Sequence, residues 1–326
     1  MTRCRAEKQQ ALRRSKAAVQ ATTIMTLQTK FVASALKKGQ VIPFLGSAAS
    51  IAGVRLPEHR LPDARELAGQ LMEHFTEGRG QEGLSLTKAA QYCEECVAGR
   101  TPVYEMLRET FYVKARGMPP SPVAEMLASI DTPMLLVTTN YDKHLENAFT
   151  IANRRFSVVT HITNREHPKW GYLLVQNSAK PDDHAIVDPN AFSLSDYQGQ
   201  TIVYKLHGTF GVEQHYNPAV DTIVITEDDY IEFMVMTELK SFPPALAREF
   251  QKKHFLFLGY SLEDWNFRVI LRKIQLTAEI GQDYASWAIQ LNPSEIERQF
   301  WAKRGIDVYN MDLADFTSKV GQFLRS

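Results

Sequence analysis

Four short apolar runs in this chain end abruptly on glycine or on small polar residues. Each run has the length and composition of a buried β-strand, and buried parallel strands carry their functional groups just past their carboxyl ends. Four such ends predict one shared crevice at one edge of a parallel sheet. The four segments are Val41–Gly46, Met134–Asn140, Val203–Gly208 and His254–Gly259.

The bulk composition narrows the classes of function. The chain has 326 residues, 44% of them hydrophobic, and a formal net charge of +0, so its overall charge favours neither nucleic acid nor membrane surfaces. Three cysteines are too few for a disulfide framework. Cys93 and Cys96 form one CxxC pair without the second pair that a structural zinc site needs, so we expect ordinary helix residues and no metal. No apolar run is long enough to cross a bilayer and the N-terminus lacks a signal core, which predicts a cytoplasmic protein.

The chain divides into a short basic segment and one large domain. Residues 1–30 are interpreted as a basic N-terminal arm. One alternative is a solvated segment, either helical or disordered, and the other is a contact for a partner. Residues 31–326 are interpreted as one large domain, with a helical insert at about 63–130 and an irregular insert at about 156–200. The charged residues of the arm are Arg3, Arg5, Lys8, Arg13, Arg14 and Lys16 against Glu7.

Helices and strands alternate regularly from Lys240 onward, which predicts an α/β fold with a doubly wound parallel sheet. Several helix starts carry capping signals. Asp63 and Glu66 have the spacing of a capping box. Asp142 is expected to cap the helix that follows it, with Glu146 in capping-box spacing beyond it. Thr226–Asp229 is the expected start of another capped helix. The helices between the first two predicted strands indicate an additional helical layer or subdomain.

Five motifs occur along the chain in the order Phe44–Ser50, Thr138–Asp142, Lys205–Gly208, Thr226–Tyr230 and Leu258–Asp264. Together they resemble the sirtuin-like (SIR2-like) family, which implies that residues 31–326 are an NAD-binding catalytic domain. The resemblance is strongest to its bacterial branch, whose members are NAD-consuming effectors of antiphage defence, and it covers roughly Val41–Glu279. It implies a Rossmann-like, sirtuin-type sheet with NAD+ bound as substrate.

The first loop is the expected pyrophosphate site. Gly46 allows a close backbone approach, and the N–H groups of Ser47 to Ala49 begin a helix whose positive end would face the phosphates, with Ser50 beside them. The family usually has a second glycine where this chain has Ala48. The alternative is a turn of small residues that packs a helix on the sheet.

The two residues expected to be catalytic are Asn140 and His207. By resemblance, Asn140 holds the ribose next to nicotinamide and orients the attacking water, while His207 works at the ribose hydroxyls or at the water. Each also has a structural alternative, as a turn asparagine and as a core histidine. Asp142 is included among the NAD-binding residues although it is more typical of a helix cap.

The last motif is expected to bind the adenosine half of NAD+. By resemblance, Gly259 and Ser261 meet the adenosine ribose and the phosphates. Asp264 either caps the following helix or contacts a ribose hydroxyl.

The resemblance implies cleavage of the bond between ribose and nicotinamide. Hydrolysis is favoured over protein deacylation because a deacylase carries a zinc module with two cysteine pairs. ADP-ribosyl transfer or cyclisation would use the same residues, and a regulatory subunit that binds NAD or ADP-ribose without chemistry is a third possibility. The resemblance also implies a homo-oligomer and control by a second defence protein, such as an ATPase, an Argonaute-like protein or a nucleotide sensor.

Overall fold

The computed structural model describes residues 28–77, 83–115, 117–210, 222–239, 242–260 and 286–325. These ranges leave out most of the basic arm, Ser261, Asp264 and the helix expected to follow Asp264. The first described helix, α1, covers residues 28–37.

Eleven strands occur in the described residues, and nine of them form one sheet. They are β1 Val41–Leu45, β2 Leu135–Thr138, β3 Phe156–His161, β4 Leu173–Asn177, β5 Lys180–Val187, β6 Thr201–Lys205, β7 Gly208–Thr209, β8 Thr222–Ile223, β9 His254–Leu258, β10 Ser286–Gln290 and β11 Ile306–Asn310.

Five of the described helices after α1 lie between β1 and β2, and most of the others lie between strands after β8. The helices after α1 are α2 Ala48–Ile51, α3 Ala64–Thr76, α4 Leu86–Tyr92, α5 Arg100–Arg108, α6 Pro122–Ala128, α7 His144–Ile151, α8 Glu227–Leu239, α9 Pro244–Lys252, α10 Glu295–Ala302 and α11 Leu313–Arg325. No helix within the described ranges is long and apolar enough to cross a membrane.

The large sheet has the strand order β11-β10-β9-β1-β2-β6-β3-β4-β5. All pairs from β11 to β3 are parallel, and β4 and β5 add an antiparallel edge. The segment 156–200, predicted as an irregular insert, is therefore more regular than expected, because β3 continues the parallel sheet and a hairpin follows it. The parallel order confirms the predicted α/β fold.

Helices cover both faces of the sheet, as a doubly wound topology requires. On one face α1, α6, α7 and α11 pack against alternate strand residues such as Val41 and Leu45. On the other face α8, α9 and α10 pack against the intervening residues such as Ile42 and Phe44. The chain crosses from one side of β1 to the other between β6 and β9. Strands β9, β1, β2 and β6 are parallel neighbours, so their carboxyl ends lie side by side.

A third hydrophobic cluster lies at the carboxyl ends of these strands. It joins α3, α4 and α5 to Tyr141 and to residues around β7 and β8. Helices α4 and α5 each continue into a π-helical turn, at Cys93–Ala98 and Glu109–Val113. Helix α6, predicted within the helical insert, packs on the sheet with α1, α7 and α11 instead.

Helix α7 departs from its predicted cap. Asp142 Oδ1 accepts the His144 N–H at 2.9 Å, so Asp142 does bind the first turn of this helix. Glu146 is not part of a capping box, because it forms an ion pair with the buried Lys205 at 2.8 Å.

Candidate functional site

A cavity of about 200 Å³ opens at the carboxyl ends of β1, β2 and β6. The segments that follow β1, β2 and β6 supply one side. The loop before α3, helix α3, the start of α4 and the π-helical turn after α5 supply another. The residues that line it are Gly46, Ser47, Ser50, Leu61, Pro62, Asp63, Ala64, Leu67, Leu86, Phe111, Thr139, Asn140, Tyr141, Asp142, His207, Tyr230 and Tyr260.

Two glycines bring the loops after β1 and β9 into backbone contact. A Cβ on Gly46 would lie 2.5 Å from the Gly259 carbonyl oxygen, and a Cβ on Gly259 would lie 2.4 Å from the Ala49 nitrogen. Gly259 also has a φ of +61°, which favours glycine. Both glycines are therefore required by the approach of the protein's own backbone.

This contact changes the expected role of the first loop. The Ala48 N–H donates to the Gly259 carbonyl at 3.2 Å, and the Ala49 N–H donates to the Gly46 carbonyl at 2.9 Å. These two N–H groups were predicted to face a pyrophosphate, and they are instead bonded within the protein. Helix α2 has only four residues, so its dipole is small.

Asn140 belongs to a polar network that links the loops after β1 and β2. Its Nδ2 donates to the Gly46 carbonyl at 2.9 Å and to Ser50 Oγ at 2.7 Å. Ser50 Oγ donates in turn to Asp142 Oδ2 at 2.6 Å. Both hydrogens of the Asn140 amide are used in these bonds, so Oδ1 is the amide atom that can accept from a ligand.

His207 lies in the turn between β6 and β7 and is 4% exposed. Its Nδ1 is 3.5 Å from the Tyr230 hydroxyl, and its ring meets the Tyr230 and Phe233 rings edge to face. Gly208 fixes this turn, because its φ is +83° and a Cβ there would lie 1.1 Å from the Thr222 carbonyl oxygen. The strand pair β7 and β8 thus holds the backbone next to the histidine.

The cavity combines carboxylates with aromatic rings. Asp63 and Asp142 face it together with the rings of Phe111, Tyr141, Tyr230 and Tyr260, and its lining within the described residues contains no lysine or arginine. Such a lining suits a ligand with a cationic aromatic part.

Cys93 and Cys96 differ in their exposure to solvent. Cys93 is buried, which raises the pKa of its thiol, and Cys96 is exposed. Across the described residues there is no group of three His, Cys, Asp or Glu side chains that could hold a metal ion.

The structure brings six of the predicted site residues into one cavity. These are Gly46, Ser47, Ser50, Asn140, Asp142 and His207. Ala48 and Gly259 contact each other behind this lining, and Ser261 and Asp264 lie outside the described residues.

The sequence interpretation missed several lining residues. Asp63 and Phe111 come from the helical insert, whose position over the strand ends has no sequence signal. Tyr230 and Tyr260 belong to the motifs Thr226–Tyr230 and Leu258–Asp264, and that membership is a signal that would have found them.

Comparison with known proteins agrees with these motifs. The family model described as "SIR2-like domain" matches residues 134–309, a stretch that includes Asn140 and His207. The chain is 26% identical over 201 residues to NAD(+) hydrolase ThsA of Acinetobacter baumannii (strain 532279), which is 60% of this chain and 33% of that protein. It is 30% identical over 146 residues to NAD(+) hydrolase ThsA of Cytobacillus dafuensis, which is 45% of this chain and 22% of that protein. The matched regions thus span a third or less of these curated relatives.

Proposed function

This chain belongs to the SIR2-like domain family, whose model matches more than half of it, and on that premise we propose that it hydrolyses NAD+ to nicotinamide and ADP-ribose. One observation carries the proposal. Asn140 and His207, which follow different strands, line a single cavity together with two carboxylates and four aromatic rings. The likeness to two proteins named NAD(+) hydrolase supports the same reaction.

The chemistry of this bond fits the residues available. Nicotinamide leaves C1′ of the ribose with the bonding electron pair and becomes neutral, so no general acid is needed to protonate it. The site must stabilise positive charge on the ribose and position a water molecule. A water oxygen then bonds to C1′ and releases one proton.

Each polar residue has a role in this proposal. Asn140 Oδ1 accepts a hydrogen bond from the ribose or from the attacking water, because its Nδ2 is held by Gly46 and Ser50. His207 accepts a proton from a ribose hydroxyl or from the water. The Asp142 carboxylate contributes negative charge beside the ribose as positive charge develops there.

We propose water as the acceptor rather than an acyl-lysine peptide. A deacylase of this family needs a zinc module, and the sequence offers one CxxC pair for it. Transfer or cyclisation at the same residues would differ only in the co-product, which the experiment below identifies.

We also propose a biological setting. An NAD+ hydrolase that is always active would deplete the NAD+ of its own cell, so its activity requires control. We propose an effector of antiphage defence in the cytoplasm, switched on by a second protein or by self-assembly. The basic arm is the proposed contact.

The test is nicotinamide release from NAD+ by purified protein over a wide range of protein concentrations. Asn140→Ala and His207→Ala are each expected to lower the rate by about 10²–10⁴-fold, because each removes a group that acts in the transition state. Chromatography of the co-product separates ADP-ribose from a cyclic form. A specific activity that rises with protein concentration would support control by assembly.

Matched controls use the same substitutions outside the cavity. Asn190→Ala removes an exposed side chain, and His167→Ala removes a loop histidine, so both are expected to retain wild-type rates. Release that survives in Asn140→Ala and His207→Ala would contradict the proposed site. Saturable NAD+ binding without release at any concentration would instead indicate a binding subunit.

A further inference from the structure

A buried lysine lies beneath the cavity and touches both loops that carry the proposed catalytic residues. Lys205 is the last residue of β6 and is 1% exposed. Its Nζ donates to the Asp142 carbonyl and lies 3.5 Å from both the Tyr141 carbonyl and Thr209 Oγ1. The first two groups belong to the loop of Asn140, and Thr209 follows His207 by two residues.

The charge of this lysine is balanced by one carboxylate. Glu146 Oε1 on α7 is 2.8 Å from Lys205 Nζ, and the Glu146 side chain is 11% exposed. Among the described residues, the buried Glu146 Oε2 has no hydrogen-bond partner. The buried carboxylate therefore depends on this ammonium group for its stabilisation.

We propose that Lys205 is a positioning residue that fixes the loop of Asn140 relative to the turn of His207. The two loops follow neighbouring strands, and β-pairing aligns those strands only as far as Thr138 and Lys205. Beyond that point, the ammonium group connects the two loops at Asp142 and Thr209. A second connection runs through Val224, whose carbonyl accepts from the Tyr141 hydroxyl at 2.8 Å and whose N–H donates to the His207 carbonyl at 3.0 Å. Lys205 is not part of the cavity lining, so it acts through Asn140 and His207 and not on the substrate. This inference rests on the proposed function.

The experiment separates positioning from stability. Lys205→Met leaves Glu146 buried and unpaired, so it is expected to lower the melting temperature and the kcat of nicotinamide release. Lys205→Met/Glu146→Leu removes both charges, and replacing a buried ion pair by apolar residues often restores stability. We expect the double variant to regain most of the thermal stability, with a KM within threefold of wild type and a kcat at least tenfold lower.

A matched control makes the same substitutions in a pair far from the cavity. Glu249 lies on α9 and Lys253 directly follows that helix. Their Oε2 and Nζ atoms are 2.9 Å apart, and about a quarter of each side chain is exposed. Lys253→Met/Glu249→Leu is expected to keep the wild-type kcat. Amide hydrogen exchange is measured on the same samples, and faster exchange at 139–142 and 206–209 is expected only in the Lys205 variants.

The outcomes of these measurements distinguish a positioning role of Lys205 from a purely stabilising one. A kcat that recovers together with the melting temperature in the double variant would overturn the positioning role. If the lysine variants do not fold, Glu146→Gln provides the test, because it keeps Lys205 but neutralises its partner. A several-fold lower kcat with faster amide exchange supports the proposal. A wild-type kcat and wild-type exchange overturn it. If the wild-type protein releases no nicotinamide, the proposed function fails. Amide hydrogen exchange at 139–142 and 206–209 then tests the positioning role of Lys205 independently of activity.

Discussion

The buried pair of His161 and Tyr204 shows how a single residue responds to its surroundings. His161 Nε2 lies 2.7 Å from the Tyr204 hydroxyl, and Nδ1 lies 3.3 Å from the Gly171 carbonyl. Because that carbonyl can only accept, Nδ1 carries the proton and Nε2 accepts from Tyr204. Burial lowers the pKa of His161 to about 4 and raises the pKa of Tyr204 well above its usual value.

This pair predicts a specific dependence of stability on pH. The unfolded chain takes up a proton at His161 near pH 6.5, whereas the folded chain does so only near pH 4. Between these values the unfolded state binds more protons, so stability falls as the pH falls. From pH 7.5 to 5.5 the loss attributable to His161 is about 1 kcal/mol.

The measurement is the free energy of unfolding by urea at both pH values. His161→Gln cannot take up the proton, so its stability is expected to fall by about 1 kcal/mol less than that of the wild type over this range. His74→Gln replaces an exposed histidine and serves as the control. Equal pH dependence in the wild type and His161→Gln would contradict the prediction.

At the scale of elements, the capping boxes give a second prediction. Asp63 Oδ1 accepts the Arg65 and Glu66 N–H groups, and Glu66 Oε2 accepts the Asp63 N–H at 2.8 Å. The bond from the Asp63 N–H and that from Arg60 lower the pKa of Glu66. Asp63→Ala is expected to reduce the free energy of unfolding by about 1 kcal/mol, because the first turn of α3 loses its side-chain acceptor.

A second box provides the matched comparison for this prediction. Ser294 and Glu297 form the same arrangement at α10, away from the cavity. Ser294→Ala is expected to cost a similar free energy in urea titration but to leave the KM for NAD+ unchanged. Because Asp63 also lines the cavity, Asp63→Ala is expected to raise that KM as well. Unchanged stability in both variants would mean that solvent replaces these caps.

The elements show which features a sequence can predict. The box at Asp63 was predicted and is confirmed, because it depends on residues three positions apart. The capping role predicted for Glu146 was wrong, because Glu146 forms an ion pair with Lys205. Lys205 becomes its neighbour only when β2 and β6 pair. The π-helical turns after α4 and α5 were also missed, since the sequence there has ordinary helical periodicity.

The sequence likewise predicted one part of the candidate site and missed another. Gly46, Asn140 and His207 share one cavity, as predicted, because parallel strands place their carboxyl ends at one edge. Their chemical roles remain predictions. The wall that contains Asp63 and Phe111 depends on how the helical insert packs over the strand ends, and no local pattern specifies that.

At the scale of the whole molecule, the helical insert and the sheet share a hydrophobic core. Phe111 packs against Tyr141, with ring centroids 5.5 Å apart. Tyr104 of α5 donates its hydroxyl to the Ile223 carbonyl at 2.7 Å. Separating the insert from the sheet would expose this cluster to water, at a cost that grows with the apolar area uncovered. We therefore expect the two parts to unfold together.

Cys93 offers a probe of the insert alone. It lies in the π-helical turn after α4, is 0% exposed, and its Sγ approaches the Leu71 carbonyl at 3.7 Å. Burial also raises its thiol pKa, so it can react with a thiol reagent only after the insert opens. In a Cys4→Ser/Cys96→Ser variant it is the single remaining cysteine.

Tryptophan fluorescence reports on the rest of the molecule, because all four tryptophans lie outside the helical insert. In a guanidinium titration, the midpoint for Cys93 labelling is expected to coincide with the fluorescence midpoint if the shared core makes the insert and the sheet one cooperative unit. Cys93 labelling at a lower denaturant concentration would show that the insert opens first. That outcome would make the cavity wall a movable element, and NAD+ would then be expected to protect Cys93 from labelling.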